Sequence, residues 1–106
     1  MDVPEIDVDE LERRLDEGAV LIDVRELAEW VEVRVPGGRL IPLQNVPERL
    51  AEIPDEGTVY VICALGGRSR TAAEFLREPG RDAVNVFGRT TAWVDAAFTS
   101  EAGEPA

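Results

Sequence analysis

The 106-residue chain contains no histidine, no lysine and a single cysteine, Cys63. Without histidine, Ser-His-Asp and Cys-His nucleophile arrangements are excluded, and so are zinc sites built on imidazole. One cysteine excludes an intramolecular disulfide and a C-x-x-C redox pair. The 11 basic residues are therefore all arginines, and 22 acidic residues outweigh them to give a net charge of −11. That balance repels nucleic acid and anionic membrane surfaces, so neither is expected as a partner. The longest apolar run, Val59 to Leu65, falls far short of the roughly 18 residues of a membrane span. The opening Met-Asp-Val-Pro-Glu lacks the basic and apolar regions of a signal peptide, and a soluble, cytoplasmic protein is expected. No cofactor or metal motif is recognisable.

What the chain does contain is the composition of a globular domain: 44% hydrophobic and 31% charged, with 9 Gly and 7 Pro. No repeat or linker divides it, so one domain over residues 1–99 is expected, with a flexible tail over 100–106. Asp9 with Glu12 fits a capping box, and Leu11 and Leu15 share one face of a helix that Gly18 can end. Val20 to Val24 reads as a strand buried on both faces, Glu26 to Val31 as one or two helical turns, and Pro36-Gly37-Gly38 as a turn. Asn45 is expected to cap a helix running through Arg49 to Ile53, before the turn at Pro54 to Gly57. Thr58 to Cys63 carries the strongest strand signal. After the glycine-bearing loop Ala64 to Arg68, Ser69 is expected to cap a helix with Ala72, Ala73, Phe75 and Leu76 along its apolar stripe. A last strand, Ala83 to Val86, a loop, Phe87 to Arg89, and a short helix, Thr91 to Ala97, complete the chain. Short apolar strands alternating with helices predict an α/β fold with a mainly parallel central sheet and helices on both faces. Trp30, Phe75 and Trp93 are expected in packing.

Open α/β sheets bind ligands at the carboxyl ends of their strands. The strand ends here carry Arg25, Cys63 with Arg68, and Arg89, which predicts an anion-attracting mouth around the only thiol. Arg25 has an alternative, because Asp23 at i, i+2 spacing can pair with it on one side of the strand end. A lone cysteine closing a strand is usually a small buried hydrophobe. The residues after it change that reading. Two glycines, an arginine and a helix start form a concave turn whose N–H groups can converge as an anion nest, and the nest, the helix end and Arg68 all favour thiolate over thiol. Ala64, Leu65, Gly66, Gly67, Arg68 and Ser69 are thus the candidate anion cradle, with Cys63 the candidate nucleophile.

The segment Cys63-Ala64-Leu65-Gly66-Gly67-Arg68-Ser69 resembles the active-site loop of rhodanese-like sulfurtransferases. The resemblance covers nearly the whole chain: Leu21-Ile22-Asp23-Val24-Arg25-Glu26 and Glu29-Trp30, then Val35-Pro36-Gly37-Gly38 and Ile41-Pro42-Leu43, then the strand and helix around Cys63, and finally Gly88 with Thr91-Ala92-Trp93. It implies a persulfide mechanism in which Cys63 takes a sulfane sulfur from a donor such as thiosulfate and passes it to cyanide or a thiol, without a cofactor or metal. A small anionic donor, a thiophilic acceptor or a sulfur-relay protein would be the partners. The chain departs from the family pattern at Val33-Arg34, where many members have Gly-His, and at Gly88-Arg89, where a glycine pair is common. The alternatives are a rhodanese-like carrier or binding module without free turnover, and a Cys-dependent phosphatase or arsenate reductase. The latter usually has five residues between cysteine and arginine, whereas this loop has four.

Overall fold

In a computed structural model, residues 3–87, 89–95 and 98–103 are described. Five strands, β1 (Glu5–Ile6), β2 (Val20–Asp23), β3 (Arg39–Leu40), β4 (Thr58–Ile62) and β5 (Asp82–Val86), form one sheet in the order β1-β5-β4-β2-β3. Every pairing between them is parallel. The helices are α1 (Val8–Asp16), α2 (Leu27–Glu32), α3 (Gly67–Arg77) and α4 (Arg89–Asp95), with two 3₁₀ turns at Leu43–Asn45 and Leu50–Glu52. None of the helices among the described residues is long and apolar enough to cross a membrane.

The period of two along each strand sorts the core onto the sheet's two faces. In β4 and the residue after it, Val59, Val61 and Cys63 join a buried cluster with Ala72, Ala73 and Leu76 of α3, while Tyr60 and Ile62 join Leu11 of α1 and Trp93 of α4 on the opposite face. The expected parallel α/β sheet with helices on both faces is what the chain builds. This alternation also places the lone thiol under α3.

Several elements differ from the sequence reading. Helix α1 is capped by Asp7, whose Oδ1 accepts the Glu10 N–H at 2.8 Å. Asp9 sits in the first turn instead, because Val8 is buried with Leu11 and so starts the apolar stripe earlier than expected. The helix expected from Asn45 to Ile53 is broken into two 3₁₀ turns. Pro47 has no N–H to offer the Leu43 carbonyl, which takes the Val46 N–H at 3.2 Å, and arginines satisfy the later carbonyls: Arg39 donates to Glu52, and Arg81 to Leu50 and Ile53. Strands β1 and β3, two residues each, are too short to show a periodicity. The tail expected to be loose from Ser100 is held at residues 101–103. Glu101 exchanges backbone hydrogen bonds with Arg34, the Gly103 N–H reaches the Val31 carbonyl at 2.7 Å, and the Arg34 guanidinium donates to the Gly103 carbonyl at 2.8 Å. That guanidinium also lies 4.8 Å from the centre of the Trp30 ring.

The cap assignment has a direct test. Asp7→Ala should lower unfolding stability by about 1 kcal/mol, whereas Asp9→Ala should change it by less than about 0.5 kcal/mol in urea titrations. Equal losses in the two variants would return the cap to Asp9.

Candidate active site

Strand β4 ends at Ile62, and the chain then turns back over the sheet so that Cys63 is completely buried, at 0% exposure. The turn depends on Gly66, which takes φ = 91° ahead of α3, a conformation that disfavours any side chain. Its N–H donates to Cys63 Sγ at 2.9 Å, and the Ser69 N–H donates to the same sulfur at 3.3 Å. Gly67 has an ordinary φ, and a Cβ there would meet nothing. Of the two glycines, only Gly66 is required by the backbone. Leu65, at the crest of the turn, is 77% exposed, and Ala64 is half-buried.

Ser69 does not cap α3 as the sequence suggested. Gly66 takes the cap position, which places Ser69 in the first turn with its hydroxyl turned inward. Ser69 Oγ lies 3.3 Å from Cys63 Sγ and 2.5 Å from Asn85 Oδ1. Asn85 is the polar residue in the otherwise apolar inner part of β5, and it shares the Cys63 face because it stands two residues from Ala83. The sequence carried that signal, an asparagine on the buried side of a strand, but its partner could not be read. Helix α4 starts against the same place, with the Thr90 N–H 3.4 Å from the Cys63 carbonyl. The Thr90 hydroxyl is buried and has no hydrogen-bond partner among the described residues.

The arginines are arranged differently from the expected mouth. Arg25 is 3% exposed and turned inward: its Nε and Nη2 bind both oxygens of Asp23 at 2.9 and 2.8 Å. Its remaining donors reach the carbonyls of Val33 at 2.8 Å and Glu29 at 3.4 Å. The alternative pairing with Asp23 is the one observed, since a buried charge is costly unless it is paired and hydrogen-bonded. Arg68 forms a two-pronged pair with Glu29, at 2.8 and 2.9 Å, which the sequence reading did not anticipate. The hydrogen bond from Arg68 is the main reason that the Glu29 carboxyl is held down at about 2, and the Glu26 N–H adds to it. The same bond is the first cause raising Arg68 above its ordinary value. The expected mouth contact of the Arg89 side chain, and Gly88 beside it, lie outside the described residues.

The sulfur is thus met by two backbone N–H donors and the start of an eleven-residue helix. Such an arrangement is a nest of fixed N–H dipoles of the kind that can receive negative charge.

A parallel α/β sheet with a buried thiol in the glycine turn before a helix is the class of domain the chain builds, and the family model for the rhodanese-like domain matches residues 7–96. The chain belongs to the rhodanese-like domain family. It is 35% identical over 94 residues to a protein of Allochromatium vinosum named "Sulfurtransferase", covering 86% of this chain and 88% of that one. It is 32% identical over 94 residues to "Putative sulfur carrier protein YrkF" of Bacillus subtilis, of which it spans only 51%. Among solved structures, the rhodanese-like domain protein of Staphylococcus aureus superimposes with a TM-score of 0.81 at 35% identity, over 86% of this chain and 91% of that one. These relatives support a sulfur-transfer role of the rhodanese type.

The Glu29–Arg68 pair makes a prediction with a sign. A carboxyl lowered from 4.5 to about 2 contributes stability that is present above pH 4.5 and disappears as the pH falls towards 2. Both side chains are one-third exposed, so solvent screening limits the contribution to at most about 1 kcal/mol. Glu29→Gln should therefore be less stable than the native protein at pH 6, with a gap in urea titrations that narrows as the pH falls through about 2. A gap that persists unchanged at pH 2 would assign the loss to packing.

Proposed function

We propose that the protein is a sulfurtransferase that carries a sulfane sulfur as a persulfide on Cys63. The observation that carries this reading is the pair of N–H groups, from Gly66 and Ser69, aimed at the sulfur of the chain's only thiol. In the first half-reaction the Cys63 thiolate attacks the sulfane sulfur of thiosulfate or an equivalent donor. A new S–S bond forms on Cys63, and the donor's S–S bond breaks, its electron pair leaving on sulfite. In the second, cyanide or a thiolate acceptor attacks the outer sulfur, and the electron pair of the breaking bond returns to Cys63. The nest would hold the negative charge that appears on Cys63 at both ends of the cycle. The covalent intermediate implies ping-pong kinetics.

In this reading Ala64 to Ser69 form the cradle, and Arg68 keeps a positive charge at its rim while Glu29 cancels much of that charge. Neither the chemistry nor the chain calls for a cofactor or metal. A reduced cytoplasmic setting suits a mechanism that needs its thiol free. Phosphatase or arsenate reductase chemistry is less apt, because the loop is one residue shorter than those enzymes use.

A second reading, a persulfide carrier loaded and emptied by a sulfur-relay protein, is favoured by a specific observation. Cys63 is fully buried while Leu65 stands 77% exposed at the crest of its loop. An apolar crest over a covered sulfur suits docking by a protein better than collision with a small ion.

Intact mass after incubation with thiosulfate tests the first reading. The native protein should gain one sulfur atom, lost again on reduction, and Cys63→Ser should gain none. Gain by Cys63→Ser would end the mechanism, and no gain by either protein would leave the carrier reading. Steady-state turnover separates the roles of Arg68. Arg68→Ala should lose about tenfold or more with thiosulfate, consistent with one lost charge-assisted contact, and markedly less with a neutral persulfide donor. Equal losses would reduce Arg68 to a clamp on the loop.

A further inference from the structure

Strand β1 is the outermost strand on the β5 side, only two residues long, yet it carries a carboxylate that reaches inward. Glu5 stands opposite Asn85 in the sheet register, and its Oε2 accepts the Asn85 side-chain N–H at 2.8 Å. Asn85 is 2% exposed and Ser69 0%, so water cannot substitute freely for either side chain's partners.

The order of these contacts fixes the direction of each hydrogen bond. An ionised carboxylate only accepts, so Glu5 must face the amide nitrogen of Asn85, which leaves the amide oxygen facing Ser69. Two oxygens 2.5 Å apart need a proton between them, and only Ser69 can supply it. A hydroxyl has one proton. Once given to Asn85, it is no longer there for the sulfur, and Ser69 presents a lone pair to Cys63 Sγ 3.3 Å away. The Gly66 carbonyl, 3.2 Å from the same hydroxyl, is also an acceptor and cannot reverse this direction.

We propose that Glu5, through Asn85, is a positioning residue for Cys63: it locks the Ser69 hydroxyl as an acceptor of the thiol proton and denies its proton to the thiolate. The sulfur is then held by opposing polarities. The Gly66 and Ser69 N–H groups favour the charged form, and the Ser69 hydroxyl favours the protonated one. A persulfide, like the thiolate, has no proton on Sγ, so the lock favours the resting thiol over both the attacking and the loaded forms.

The charged groups around this chain of contacts are few. Arg68 of α3 is paired with Glu29 of α2, and Asp23 and Arg25 at the end of β2 are paired with each other. Arg70 of α3 lies 3.5 Å from Glu5. Apart from the Ser69 hydroxyl and the two N–H groups, nothing polar among the described residues is within hydrogen-bond reach of Sγ.

The test is the titration of Cys63 in the purified protein, followed by thiolate absorbance against a Cys63→Ala blank and by the pH profile of alkylation with iodoacetamide. With Gln at position 5, the side chain can donate or accept, so the Asn85 amide can turn over and release the Ser69 proton to the sulfur. Glu5→Gln should move the thiol transition about one pH unit lower, the size of one hydrogen bond to a charged sulfur. Glu5→Met, of similar length and without polar atoms, should move it in the same direction.

Removing a negative charge also acts through space, and the Ser69→Ala background separates the two causes. There the hydroxyl is gone, and Glu5→Gln should produce no further shift. An equal shift in both backgrounds would overturn the proposal in favour of plain charge repulsion, and no shift in the native background would overturn it outright. The inference rests on Cys63 being the reactive group of the proposed transfer. Its titration reads the same whether or not the protein accepts sulfur, so the two can fail separately.

Discussion

At the end of β2 a guanidinium is buried beside a carboxylate, and the placement of the loop after Cys63 depends on that pair. The Arg25 and Asp23 side chains satisfy each other across three hydrogen bonds, and Arg25 also donates to the carbonyls of Glu29 and Val33. Those carbonyls belong to α2 and its end, a six-residue helix far too short to persist alone in water. Held this way, α2 presents Glu29 to Arg68 in the first turn of α3. That contact ties α2 to the turn that wraps the sulfur. A charge without its partner at the Arg25 site would cost about 3–5 kcal/mol, comparable with much of a small domain's stability.

The electrostatics of the sulfur follow from this division of labour. The molecule carries a net charge of −11, a field that opposes further negative charge at the Cys63 sulfur. Arginines placed near the loop are mostly neutralised by their own carboxylates. The local preference for negative sulfur therefore comes from fixed backbone dipoles, the N–H groups of Gly66 and Ser69 and the start of α3. Dipoles held by the fold keep their orientation while the charge on sulfur comes and goes, which a mobile side chain does less well.

The long-range frame was legible in the sequence because it rests on periodicity and punctuation. The strand from Thr58, the glycine turn and the amphipathic helix after it follow in the order the pattern predicted, although the helix starts at Gly67 and not after Ser69. The misread parts have common causes. Asp7 and Asp9 both satisfy the spacing of a cap, and only the burial of Val8 decides between them. Pro47 divides a segment whose apolar spacing still suggests a helix. Arg68 looked like a substrate contact because its charge is visible in the sequence and its carboxylate partner is not. Glu29 comes from 39 residues away, and Glu5 reaches Asn85 across 80. Pairings of that range are decided by strand order, which the sequence pattern left open.

The clamps that hold this scaffold share one chemical trait. Arg25, Arg34, Arg39 and Arg81 all tie down main-chain carbonyls where helices and turns would otherwise leave them unsatisfied. A guanidinium keeps its proton far above neutrality, where an ammonium or imidazole would begin to let go. As a solution is made alkaline enough to strip a thiol, nothing in these clamps is discharged. The sulfur of Cys63 can change its ionic state inside a frame that takes no part in the change, so the geometry that receives the charge is the same before and after it arrives.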